Sequence, residues 1–151
     1  MTRAFYYEDF EAGQQFRSLP SAPIDKEAAI AFAREYDPQL QHVDEHGAKN
    51  SLFGELIVSG WQTAALTMKL KTGLDIFQNP MGIIGMGLDN VRWPRPTRPG
   101  DTLYIVLTVL SKRTSNSRPD RGIIQYKVET FNQRDELAME MTTSVLIPRR
   151  A

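Results

Sequence analysis

The sequence predicts an α+β fold in which a long antiparallel sheet covers a central apolar helix at about residues 60–73. Three observations predict it. Three long runs near the carboxyl end alternate apolar with polar residues, the period of strands that bury one face. Polar, turn-forming segments separate those runs, as a meander requires. Upstream of them, the run from Gly60 to Gly73 is too apolar in its first turns for a helix lying on a surface.

With 151 residues, and no internal repeat, low-complexity tract or linker, one domain over residues 1–151 is expected. Eighteen basic residues balance eighteen acidic ones, which gives no electrostatic case for a nucleic-acid partner. The absence of cysteine excludes disulfides, thiolate metal sites and a cysteine nucleophile, and fits a reducing compartment. No apolar run approaches the roughly 18 residues that span a bilayer. The opening MTRAFYYEDFEAG places acids where a signal peptide needs an apolar core. A cytoplasmic protein without a membrane partner is therefore expected.

Phe5, Tyr6, Tyr7 and Phe10 are expected to pack an amino-terminal arm onto the domain. Gly13 turns the chain into a short strand at Gln15–Leu19, which Pro20 and Pro23 end because neither donates to a ladder. Asp25 is an N-cap for a helix with Ala29, Phe32, Ala33 and Tyr36 on one face. That helix ends near Asp37, because Pro38 disfavours helical geometry in the residue before it. A short helix is expected from Asp44 to Lys49. In the apolar helix, Trp61, Ala64, Ala65 and Met68 share one face, Leu66 and Leu70 widen it, and Gly73 suits the C′ position. Gly82, Gly85 and Gly87 allow bulging or close approach in a strand over residues 82–93. After the loop WPRPTRPGD come the meander strands through Leu103–Val109, Ile124–Val128 and Leu137–Ile147. The polar segments Ser111–Arg121 and Asn132–Glu136 connect them. One sheet covers the helix from one side only, so a second copy of the chain is expected to cover the other.

The chemistry-bearing stretch runs from Tyr36 to Gly73. Asp37 and His42 lie five residues apart across the bend at Pro38, and their side chains can converge on one water. Hydration of an activated double bond needs such a pair: one group takes a proton from the attacking water, and another supplies one to the neighbouring carbon. A histidine titrates near neutrality and can do either, while a carboxylate can orient the water or act as base. The bland alternative is an Asp-Pro turn beside an ordinary loop histidine. Ser59 is a candidate N-cap, and the Gly60 amide falls in a first turn, where helix amides lack intrahelical partners. That amide can stabilise an enolate-like oxygen with help from the helix dipole, or simply start a helix. His42, Asp44 and His46 have one ligand-like spacing but no clear third ligand, so no metal is assigned. Arg92, Arg95 and Arg98, like Arg113, Arg118 and Arg121, form basic loop clusters that can meet phosphates or face solvent.

The run from Asp37 to Gly60, with D-P-Q-x-x-H-x-D, then S-x-F-G, then S-G, resembles the MaoC-type dehydratases, also called (R)-specific enoyl-CoA hydratases. YYEDFEAGQQF and VRWPRPTRPGDTL extend the resemblance over most of the chain. The resemblance implies a hot-dog fold, a homodimer, and acyl-thioester tunnels near the subunit interface. It matches Asp37 and His42 to the catalytic pair that holds water, and Gly60 to the residue whose amide binds the thioester carbonyl. Two departures stand out: Pro38-Gln39 replaces the Asn-Pro of many hydratases, and Glu55 replaces a glycine found in many relatives. The second puts a carboxylate near the expected pocket.

The expected activity is reversible hydration of a trans-2-enoyl thioester of CoA or an acyl carrier to an (R)-3-hydroxyacyl thioester. Ser59, Glu55, Arg92, Arg95 and Arg98 are the expected substrate-binding residues, and no metal or redox cofactor is required. The alternatives are a hot-dog acyl-thioesterase and a non-catalytic acyl-CoA-binding subunit.

Overall fold

The alternating runs form strands because one side of each is apolar and the other polar. A computed structural model describes residues 3–151. Its strands are β1 (Gln15–Arg17), β2 (Ile84–Arg92), β3 (Tyr104–Thr114), β4 (Arg121–Phe131) and β5 (Leu137–Pro148). The helices are α1 (Lys26–Tyr36), α2 (Leu40–Val43), α3 (Glu45–Ala48) and α4 (Gly60–Thr72). The five strands form one antiparallel sheet in the order β1-β3-β4-β5-β2. Ile105, Leu107 and Val109 of β3 point to the core with Ile124, Tyr126 and Val128 of β4 and Met139, Met141, Val145 and Ile147 of β5. The tight β4–β5 connection is closed by Asn132, whose Oδ1 accepts the amides of Arg134 and Glu136.

The connection expected at Ser111–Arg121 is shorter, because β3 stays paired with β4 to Thr114 past a register shift after Val109 and β4 begins at Arg121. Two further strands differ from the sequence expectation in ways that hydrogen bonding explains. β1 ends at Arg17, not Leu19. The chain still follows β3: Ser18 N donates to Ile105 O at 3.0 Å and Ser21 N to Leu103 O at 2.7 Å. The return bonds from Ile105 N and Leu103 N go to the two serine hydroxyls, at 2.9 Å each, in place of backbone carbonyls. β2 bulges where the glycines fall: its register against β5 slips between Gly85 and Gly87, and Gly87 has φ 145°. As an edge strand it leaves Ile84, Met86 and Leu88 exposed.

The aromatic arm packs as expected. Phe10 is buried, Phe5 and Tyr7 lie against the core, and Arg150 pairs with Asp9. Asp25 caps α1 by accepting from Ala28 N at 2.9 Å. The short helix expected at Asp44–Lys49 is the single turn α3, with Asp44 as its N-cap and Lys49 as its C-cap, and a further single turn, α2, precedes it and ends on Asp44. Gly73 closes α4 in a right-handed conformation, so its lack of a side chain is not what permits the cap.

The largest correction concerns which face of α4 is inside. Trp61, Ala65 and Met68 are exposed, while Ala64, Leu66 and Leu70 are only partly buried. The residues turned to the sheet are Thr63, Thr67 and Lys71, spaced one helical turn apart. Partners across the sheet make this possible. Thr67 Oγ1 meets Thr130 Oγ1 at 2.7 Å, and Lys71 Nζ donates to the Tyr126 hydroxyl at 2.9 Å. Among the described residues no helix is long and apolar enough to cross a membrane.

Candidate active site

Pro38 stops α1 at Asp37, whose backbone (φ −156°, ψ 66°) has left the helix. The single turn of α2 then carries His42 back toward Asp37. The segment Ile57–Ser59 clamps both sides of this bend. Ile57 N donates to Gln41 O at 3.0 Å, and Ile57 O lies 2.8 Å from His42 Nδ1. A carbonyl only accepts, so Nδ1 carries the hydrogen and the neutral ring keeps a lone pair on Nε2. That nitrogen is 3.4 Å from Asp37 Oδ2.

Asp37 is held from two more directions. Gln39 Nε2 donates to Oδ1 at 2.7 Å, and the Ser59 hydroxyl donates to Oδ2 at 2.7 Å. Burial raises its pKa, but the Gln39 and Ser59 hydrogen bonds and the neighbouring His42 outweigh that, and the net shift is below the ordinary value. The group is therefore a carboxylate at neutral pH. In the neutral-imidazole state, Oδ2 and Nε2 are two acceptors facing each other. A water on the cavity side, bridging the two atoms, can donate one hydrogen to each and present its own lone pair outward.

Ser59 is fully buried and organises the start of α4. Its Oγ accepts from Trp61 N at 3.2 Å, and its carbonyl accepts from Gln62 N and Thr63 N at 3.0 and 3.1 Å. Three first-turn amides are thus occupied. The Gly60 amide makes no hydrogen bond among the described residues, and Gly60 lines a cavity shared with Asp37, Gln39, His42, Trp93 and Arg95. The cavity encloses about 310 Å³. A larger one of about 640 Å³ lies against Leu66 and Leu70, beside the Ser18–Asp25 segment. It contains neither Asp37, His42 nor Gly60, so the smaller cavity is the one equipped for acid/base chemistry.

The structure brings Asp37, His42, Ser59, Gly60 and Arg95 together, but not the other expected binding residues. Glu55 accepts from Arg98 Nε at 2.6 Å, and neither lines the cavity. The carboxylate at Glu55 is thereby neutralised by a partner instead of facing the pocket. Arg92 is exposed at the end of β2. Asp44 Oδ1 is occupied by the amides of His46 and Gly47, and His46 is exposed. Among the described residues no three metal-ligating side chains converge. Sequence reasoning missed Gln39 as a partner of Asp37, Ile57 as the group orienting His42, and Trp93 as a wall. Only Gln39 carried a signal, as a departure inside the motif.

Several known proteins resemble the chain over most of its length. The model of the MaoC like domain matches residues 9–131. A MaoC-like dehydratase from Rhodospirillum rubrum superimposes with a TM-score of 0.90 at 43% identity, over 98% of this chain and 99% of that one. The (R)-hydratase PhaJ1 from Pseudomonas aeruginosa superimposes with a TM-score of 0.77 at 25% identity, over 97% and 88% of the two chains. Protein YdeM of Bacillus subtilis is 33% identical over 142 residues, 94% of this chain and 98% of that protein. The sheet packed on α4 is the hot-dog fold. On the extent of the domain match and of these alignments, the chain belongs to the MaoC-like domain family.

Proposed function

We propose that this protein is a hydro-lyase that reversibly adds water to a trans-2-enoyl thioester of CoA, giving the (R)-3-hydroxyacyl thioester. The observation that carries the reading is the pair of facing acceptors, Asp37 Oδ2 and His42 Nε2, 3.4 Å apart beside an unoccupied helix-start amide. Water bridging them from the cavity gives up one proton to the pair as its oxygen bonds to C3. The π electrons move toward the thioester, whose oxygen becomes enolate-like and takes the Gly60 N–H, aided by the positive end of the α4 dipole. The enolate collapses as the pair returns a proton to C2, so one water is consumed and no redox partner is needed. Dehydration is the same path reversed. Two hydratase or dehydratase structures among the relatives support this chemistry, since their names describe it.

Arg95 extends the cavity's polar side and is the arginine best placed to meet substrate phosphate or carrier groups. A homodimer completes the proposal. The outward stripe of α4 (Trp61, Met68) and the exposed edge strand β2 (Ile84, Met86, Leu88) leave apolar surface that a second copy would cover. Solution mass should report twice the chain mass of 17.1 kDa.

The test uses crotonyl-CoA. The purified protein should remove the enoyl absorbance without releasing thiol. Asp37→Asn and His42→Ala should each lower the rate by about 10³-fold, within the range general acid/base groups contribute. Full activity in both variants overturns the assignment, and release of free thiol in place of hydration identifies a thioesterase.

A further inference from the structure

Every buried polar or charged side chain but one makes a hydrogen bond among the described residues. The exception is Thr97, which is 3% exposed and whose hydroxyl has no partner there. Gln62, a partly buried residue, carries the only side-chain N or O atom that is both sealed from solvent and unpaired among the described residues. The Thr97 hydroxyl is therefore not sealed, and the little surface that Thr97 keeps includes Oγ1. Thr97 lines the cavity that holds Asp37, His42 and Gly60, and not the 640 Å³ one. The segment Ile57–Gly60 fixes its place. Ile57 bonds Gln41 and His42 on one side, whereas Val58 N donates to Thr97 O at 2.8 Å on the other. The Gly60 carbonyl accepts from Trp93 Nε1, at the far end of the same loop. Pro94 and Pro96 fix φ at two positions of that loop, and β-branching restricts the Thr97 χ1, so the hydroxyl is held in place.

We propose that Thr97 is a substrate-binding residue of this site, its hydroxyl donating to a carbonyl oxygen at the thioester end of the substrate. This rests on the hydratase reading. A valine would fill the same space with no polar atom to satisfy, so packing does not account for a hydroxyl here. Its partner must come from whatever occupies the cavity. A plain enoyl tail supplies none, because it is hydrocarbon from C2 onward. The polar atoms of an enoyl thioester are the C1 oxygen and the amides of the arm beyond sulfur, which CoA and acyl carriers share. Both kinds are carbonyl acceptors, and both lie toward the end that the Gly60 amide holds. Asp37 and His42 make no hydrogen bond to Thr97 and lie across the Ile57–Ser59 segment from it. One wall of the cavity thus carries the acid/base pair and the facing loop carries a neutral donor.

The experiment compares the wild type with Thr97→Val and Thr97→Ser on crotonyl-CoA and on S-ethyl thiocrotonate, which keeps the C1 oxygen and has no amide. Thr97→Val removes the hydroxyl at nearly constant shape and should lower kcat/KM for crotonyl-CoA by about 5-fold or more, the worth of one hydrogen bond. Thr97→Ser keeps the hydroxyl and should stay within about 2-fold of the wild type. A matching loss on S-ethyl thiocrotonate assigns the bond to the C1 oxygen, and a loss confined to crotonyl-CoA assigns it to the arm. Wild-type kcat/KM for crotonyl-CoA in Thr97→Val overturns the proposal, since a hydroxyl that only holds solvent would leave it unmoved. So does a Thr97→Ser variant as impaired as Thr97→Val, because the methyl group would then be what matters. A wild type that hydrates neither thioester defeats the hydratase reading and this inference with it. Hydration of crotonyl-CoA that Thr97→Val leaves unaltered defeats this inference alone.

Discussion

Around Ser59, at the amino end of α4, most polar groups of the helix start are matched, although Gln62 Oε1 is buried without a hydrogen-bond partner among the described residues. The Ser59 hydroxyl bridges Asp37 and the Trp61 amide, the carbonyl takes two more amides, and of the four first-turn amides only the Gly60 N–H is left over among the described residues. About three turns further along, Lys71 is equally sequestered, at 6% exposure, but its ammonium has a phenol as its only hydrogen-bond partner among the described residues. The rings of Tyr126 and Phe77 lie 5.3 and 5.4 Å from Nζ, and no carboxylate of the described residues is within ion-pair distance. One end of the helix holds its polar atoms in a set geometry and keeps a single donor for use. The other buries a charge at a cost to stability. The difference indicates that polar burial in this helix serves positioning at one end and is tolerated at the other.

Neutralising the costly end should give the largest change in stability. Burial lowers the Lys71 pKa from an ordinary 10.5 to about 8. Between those values the unfolded chain holds more protons than the folded one, so stability rises with pH across that window. Below about pH 8 the penalty is fully present, at about 3 kcal/mol. Lys71→Met combined with Tyr126→Phe, which leaves no buried hydroxyl unpaired, should therefore stabilise the fold by about 3 kcal/mol at pH 7, and the gain should shrink toward zero near pH 10.5. Urea denaturation at pH 7 and pH 10 measures it. The same pH dependence in both proteins would show that Lys71 carries no such penalty.

The amino end should respond in activity. Ser59→Ala removes a hydrogen bond to a charged group, worth about 2 kcal/mol, and should lower kcat/KM by about 30-fold. Because Ser59 helps hold the Asp37 pKa down, the acid limb of the pH profile should move to higher pH. A uniform loss with an unmoved limb would mean that Ser59 matters only as a cap.

How much of this was legible in the sequence follows from the range of each interaction. The β3–β5 strands were readable because alternation is local, and Asp37, His42 and Gly60 because their types fall in a spaced motif. The buried face of α4 was not. Its apolar stripe pointed to Trp61 and Met68, whereas the inward residues depend on Thr130 and Tyr126, far away in the chain. α2 is a single turn, too short for periodicity to register. Trp93 and the Glu55–Arg98 pair likewise act through contacts 33 and 43 residues away, which no local pattern encodes.

Between the two ends sits Thr67, and it offers the finest division of the comparison. Its hydroxyl shares one hydrogen bond with Thr130, both side chains fully buried. Thr67→Val removes one partner and leaves the Thr130 hydroxyl unpaired in the core, at a cost of about 1–2 kcal/mol. The double variant Thr67→Val with Thr130→Val removes both hydroxyls at nearly constant shape and should return to within about 0.5 kcal/mol of the wild type. That recovery would place the middle of α4 with its carboxyl end, where polar atoms are replaceable. A double variant as unstable as the sum of the singles would instead place it with the amino end, where the polar bond itself sets the position of the helix.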